Sequence, residues 1–306
     1  MKNAYIFPGQ GTHYYSMGNI MYNKYHLAKK IFNKSNKIIG YNIADIMFNS
    51  PLKDLSKTIN SQIAIFLYSI ISFYLYKKKY SIYPDVVAGH SLGELTSLVA
   101  SNVITFEEGL FLVYNRSNII QYIKKYNQLD TQMVSVIVSN NNDIKYINQY
   151  IKKYCYNKSI ISNYNTPKQI VISGIKNTIM NICEYIKKNN FSKYIVSLNI
   201  NNAYHSPLMK YENMLFIKCI ENINFKKPIC PVYQNIDGLY HTDPFIIKQN
   251  LKKHMVMPSL WNKIIDNMIL NKFYNFYNTG PSNTISNMIL KISKNVKIYN
   301  IADYLF

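Results

Sequence analysis

PDVVAGHSLGELTSLVAS, residues 84–101, passes from a strand-like apolar run to a helix-like run across Gly89-His90-Ser91-Leu92-Gly93. A Gly-x-Ser-x-Gly core between a strand and a helix is the context of a nucleophile elbow, and by itself the pattern is common enough to arise by chance. The flanking runs give it weight. A tight strand-to-helix turn strains the serine backbone and lifts its hydroxyl above the sheet edge, while small glycines let neighbouring backbone approach. The serine then stands at a helix N-terminus, where unpaired N–H groups and the helix dipole favour a developing oxyanion. Ser91 is therefore the candidate nucleophile, and the N–H of Leu92 the natural first donor to an oxyanion.

Outward from this turn, the chain alternates short apolar runs with helical periods. NAYIFPG (residues 3–9) reads as a strand ended by Pro-Gly, followed by helices over 19–39 and 62–76. Further helices follow at 92–101 and 106–126. Strands alternating with helices of this length predict a mostly parallel sheet covered on both faces, an α/β fold. Residues 130–199 read differently: QMVSVIVS, DIKYINQYIKKY, SIISNYN, QIVISG, NTIMNICEYIKK and KYIVSLNI give the order β-α-β-β-α-β, that of a ferredoxin-like unit. The expected organisation is a large α/β domain from residues 1–129 and 200–306, with a small ferredoxin-like domain, 130–199, inserted in it. PVYQNI (231–236) and FYNFYNTG (273–280) read as strands of the large domain.

A serine hydroxyl needs a base within hydrogen-bond reach. Of six histidines, His90 adjoins Ser91 and on a strand-turn points elsewhere. His205 lies where the chain returns from the inserted unit and would pass over the sheet edge; the competing reading is a surface histidine. No carboxylate lies between Leu198 and Lys210, so a Ser–His dyad with a backbone carbonyl orienting the imidazole stays open. So does a partner among Asp237, Asp243 and Asp266, or a triad acid drawn from residues 94–184. Arg116 is the only arginine among 35 Lys and Arg residues. In a chain that uses lysine everywhere else, it marks a task lysine cannot perform: a planar, bidentate grip on a carboxylate or phosphate.

Composition bounds the alternatives. The chain of 306 residues is 48% hydrophobic by type, enough for a sizeable core. Its longest apolar-leaning stretch, residues 63–76, is shorter than the roughly 20 residues a bilayer needs and reads as a buried helix. No signal segment precedes the run at residue 3, so a cytoplasmic protein without membrane partners is expected. Four cysteines without CxxC pairs read as reduced thiols, and no metal site is expected. The net charge of +20 points to an anionic partner or to compositional bias, since the lysines are scattered. No nucleic-acid-binding motif accompanies it.

YIFPGQGTHYYSMG, AGHSLGELTSLVA, NYNTPKQIVISG, NNAYHSPLM and QNIDG occur in order between residues 5 and 238. Together these stretches resemble the malonyl-CoA:acyl carrier protein transacylases, and the likeness runs on to about residue 285. The resemblance implies an α/β-hydrolase-like large domain with a ferredoxin-like small one. It implies that Ser91 takes the malonyl group, that His205 is the base and that Arg116 holds the malonyl carboxylate. The N–H groups of Gln10 and Leu92 would form the oxyanion hole, with Gln62 and Asn165 in the pocket. His254 stands where many relatives have a glutamine whose backbone carbonyl orients the base, a role that survives the change. Malonyl-CoA would be the donor substrate and acyl carrier protein the partner, with no bound cofactor and a monomeric enzyme. Departures from the family pattern are His13, Ser117, Ile120 and the 279–285 segment TGPSNTI. The rivals are an esterase or thioesterase on the same elbow, a basic nucleic-acid-binding protein, and a carrier-docking protein with little turnover.

Overall fold

The computed structural model describes residues 2–126, 129–198, 200 and 202–306. Its strands in chain order are β1 (Asn3–Phe7), β2 (Val86–Gly89), β3 (Thr131–Val138), β4 (Ser159–Thr166) and β5 (Gln169–Ile175). They continue with β6 (Ser192–Ser197), β7 (Val232–Tyr233), β8 (Tyr240–His241), β9 (Asn275–Asn278) and β10 (Lys297–Asn300). The larger sheet has the order β10-β9-β1-β2-β7-β8, parallel except for the antiparallel edge strand β8. Successive strand residues face opposite sides, so Ala4 and Ile6 pack with Trp261, Ile264 and Ile289 while Tyr5 and Phe7 join the main core. On that second face Tyr5, Tyr277 and Tyr299 lie in register on β1, β9 and β10, with rings stacked at 4.9 and 4.8 Å.

The smaller sheet runs β4-β5-β3-β6, antiparallel throughout. With helices Asp143–Tyr154 and Lys176–Lys188 between its strands, it has the ferredoxin-like order. Ile147, Ile151, Ile179, Ile182 and Ile186 cover one face, packed on Val134, Val136, Ile170 and Ile172. Met133 and Val171, from the other face, enter the main core. Asn199, where the inserted unit is expected to close, lies outside the described residues, as does Asn201 of the NNAYHSPLM stretch.

Three expected elements differ. The helix expected over 19–39 is two helices, Asn19–Lys24 and His26–Ile39, separated by an extended Tyr25 (φ −119, ψ 120). The helix expected over 62–76 runs Thr58–Tyr80, 23 residues, because the polar ends TINS and KKKY continue the turn geometry beyond the apolar stretch. It is long and apolar enough to cross a membrane, but 83% of its most apolar window is buried inside the protein, where its Phe73 and Tyr76 rings meet Tyr5 and Tyr277 of the tyrosine stack. The expected 231–236 strand shortens to β7, and β8 and β10, too short to carry a pattern, appear only in the structure.

Candidate active site

Between the end of β2 and the start of helix Gly93–Ala100 the chain turns in three residues, His90, Ser91 and Leu92. Ser91 sits in the left-handed region at φ 49, where a non-glycine residue is strained. A Cβ on Gly89 would stand 1.9 Å from the carbonyl carbon of Gly93, and one on Gly93 would stand 2.0 Å from the Phe7 oxygen. Both glycines are therefore required by close approach, the first within the turn and the second against β1.

One side chain closes the turn. Asn235 accepts the Ser91 N–H through Oδ1 (3.1 Å) and donates Nδ2 to the Gly89 carbonyl (2.7 Å). Ser259 Oγ also donates to Asn235 Oδ1, at 2.5 Å. Behind it the buried Glu94 accepts the Asn235 N–H (2.9 Å), the Asn235 amide in a short bond, and Gln234 Nε2 (3.1 Å). Burial pushes the Glu94 carboxyl up to about 7, against the lowering effect of those bonds. Asn235 lies within the QNIDG stretch, but its residue type alone did not disclose this role.

Ser91 Oγ is 2.7 Å from His205 Nε2. His205 Nδ1 faces the carbonyl oxygens of His254 (2.9 Å) and Met257 (3.2 Å). Carbonyls only accept, so Nδ1 carries the proton and Nε2 is left to accept from the serine. The base is thus oriented by two backbone oxygens. Glu94 serves Asn235 instead, Asp237 pairs with His241 at 2.7 Å, and Asp243 caps helix Pro244–Leu251. His205 is 2% exposed, which disposes of the surface reading. Burial first, then the Arg116 charge and His90, push its imidazole down to about 3, with the two carbonyl bonds opposing. The ring is neutral at physiological pH.

Arg116, on helix Phe106–Tyr126, is 2% exposed and has no carboxylate partner among the described residues. Its Nη1 donates to Gln62 Oε1 (2.7 Å), which also accepts Ser117 Oγ (3.0 Å). Gln62 Nε2 in turn donates to Gln10 Oε1 (3.1 Å). The guanidinium lies 5.5 Å over the ring of Tyr204, the neighbour of His205, and its Nε is buried without a partner among the described residues. These contacts link the guanidinium to the candidate oxyanion residue Gln10 through Gln62, and to Tyr204, the residue before the base. The backbone N–H groups of Gln10 and Leu92 make no hydrogen bond among the described residues. A cavity of about 380 Å³ opens beside Gln10, Thr58 and Ile120, the last one helical turn beyond Arg116.

One expected pocket residue sits differently. Asn165 is buried and spends its Oδ1 on His90 Nε2 (2.9 Å) instead of facing an open pocket; just before it β4 is stitched to Ser259 on both sides of Asn163, through the Ser162 carbonyl and the Tyr164 N–H. His90 accordingly points away from Ser91 and meets Trp261 edge-on. His13 turns to Ser56 Oγ (3.0 Å).

A strained serine on a glycine-lined elbow, paired with a neutral histidine and flanked by free N–H donors, defines a serine acyltransferase or hydrolase class of site. The acyl transferase domain family matches residues 4–274. The Buchnera aphidicola malonyl CoA-acyl carrier protein transacylase is 32% identical over 97% of this chain and 94% of its own length. Its namesake from Staphylococcus aureus is 30% identical over 98% and 95%. An acyl carrier protein S-malonyltransferase from Vibrio cholerae superposes with a TM-score of 0.91 at 25% identity, each chain covered in full. The chain belongs to the malonyl-CoA:acyl carrier protein transacylase family.

Proposed function

We propose that this protein transfers malonyl from malonyl-CoA to the phosphopantetheine thiol of acyl carrier protein, through a malonyl ester on Ser91. Its relatives' names supply the donor and acceptor. The observation that carries the reading to this chain is Arg116, a buried guanidinium beside the Ser91–His205 pair without an anionic partner among the described residues. A buried, unpaired charge is costly to maintain, and a substrate carboxylate would offset that cost with a bidentate pair.

The chemistry proceeds in two matched halves. His205 Nε2 takes the Ser91 proton as Oγ attacks the thioester carbonyl. The N–H groups of Gln10 and Leu92 hold the tetrahedral oxyanion; one such donor is typically worth about 3–4 kcal/mol. The C–S bond breaks, and the coenzyme A sulfur leaves with the proton from His205. The carrier's thiol then gives its proton to His205 and attacks the ester. The C–O bond breaks, and the proton returns to Ser91. Nucleophile, base and oxyanion donors are all protein groups, so the scheme calls for no metal or prosthetic group. A monomeric, cytoplasmic enzyme is part of the same proposal.

Arg116→Ala tests the substrate assignment. Transfer of malonyl should fall by at least about 100-fold while transfer of acetyl changes by less than about fivefold, as expected for loss of a charge-assisted pair. Equal losses with both donors would remove the carboxylate from the reading.

A further inference from the structure

We propose that the side chain of His254 is a positioning residue for the oxyanion hole, separate from the part its carbonyl plays in holding the base. The proposal rests on the Ser91 chemistry above. His254 is 0% exposed and reaches the elbow from the turn after helix Pro244–Leu251. Its Nε2 lies 3.1 Å from the Ser91 carbonyl oxygen, which also accepts the Glu94 N–H at 2.9 Å. Since a carbonyl only accepts, Nε2 carries the proton.

The Ser91 carbonyl and the Leu92 N–H are opposite ends of one planar peptide unit. A donor fixed on the oxygen sets the plane, and so sets where the N–H aims. Drawing charge toward that oxygen also polarises the N–H on the other end, because linked hydrogen bonds strengthen one another. The His254 Nδ1 is buried without a partner among the described residues. The imidazole therefore leaves one polar atom unsatisfied to make its single Nε2 contact. Its ring also packs on His205 at 5.1 Å and 75°, while its own carbonyl takes the His205 Nδ1–H. One residue thus steadies both the donor to the oxyanion and the base that creates it.

Two variants of the full-length protein separate this role from packing. His254→Leu removes the side-chain donor and leaves the backbone carbonyl to His205; His254→Gln keeps an amide N–H of similar reach. For malonyl transfer, H254L should lower kcat by about 10–100-fold, below the loss typical of deleting an oxyanion donor outright. KM for malonyl-CoA should stay within about twofold and the acid limb of the pH profile should not move. H254Q should recover kcat to within about threefold of wild type. A wild-type rate in H254L, equal damage in H254L and H254Q, or a change confined to KM would each overturn the proposal. Nitrogen-15 NMR of the wild-type histidines needs no variant to fold: His254 should be protonated on Nε2, and an Nδ1–H tautomer would overturn the proposal. Labelling of Ser91→Ala by malonyl-CoA would defeat the underlying reading independently of either result.

Discussion

At the scale of single residues, the site runs on one imidazole whose basicity is suppressed by what surrounds it. Burial disfavours the charged ring, and the nearby Arg116 cation disfavours it further. Both effects keep His205 neutral and able to accept the Ser91 proton well below the ordinary histidine range. A carboxylate seated on Arg116 would cancel the second effect and make the base stronger only when the right acyl group is present. The sign is open to a direct check with acetyl-CoA, which makes no demand on Arg116. Removing the cation raises the His205 pKa, so Arg116→Ala should lose Ser91 acylation at a higher pH than wild type as the solution is acidified. Burial still holds that midpoint below the ordinary histidine value of about 6.5. An acid limb that stays put, or moves down, would mean that the guanidinium does not act on the base. The measurement is the rate of Ser91 acylation across pH.

At the scale of elements, the elbow is a three-body contact between β2, the Gly93–Ala100 helix and β1. Gly93 is its tightest point, since a methyl there would press on the Phe7 carbonyl, which belongs to the sheet backbone and cannot rotate aside. Gly93→Ala should cost about 3 kcal/mol in urea unfolding, at the upper end of overpacking penalties, and move the Ser91 hydroxyl off His205. A variant of wild-type stability would show that the turn has slack the close contact denies. This part of the molecule was legible from residue types because glycine spacing and the strand-to-helix change are local. The inserted β-α-β-β-α-β unit was legible for a similar reason: Ile147 and Ile151, or Ile179, Ile182 and Ile186, repeat at helical spacing. The orientation of the base was legible only through the family resemblance, which implied the His254 carbonyl but not that of Met257. The atoms that hold His205 are main-chain oxygens of His254 and Met257, and a carbonyl has no residue identity to read. Asn235 was hidden because its value comes from meeting Gly89 and Ser91 across 144 or more residues of chain. The stacked Tyr5, Tyr277 and Tyr299 were likewise invisible, since strand order is a property of the assembled sheet.

At the scale of the whole molecule, two sheets meet over one hydroxyl. The larger sheet presents Ser91 at the end of β2, β4 of the smaller sheet is stitched to Ser259 beside it, and the returning chain delivers His205. The net charge of +20 surrounds this arrangement with a field that favours anionic partners. Acyl carrier proteins are usually acidic, so kcat/KM for the carrier should fall about tenfold between low and high salt, as steered encounters do. Transfer to free pantetheine, which is uncharged, should barely respond. Equal salt responses would assign the lysines to composition alone. All of these expectations depend on a malonyl ester forming on one serine. Intact-protein mass spectrometry after brief mixing with malonyl-CoA reads that ester directly. Wild type should gain a single malonyl group that disappears when phosphopantetheinylated acyl carrier protein is added, and Ser91→Ala should gain none. A malonyl adduct on the alanine variant, or a wild-type adduct that the carrier thiol cannot discharge, would contradict it.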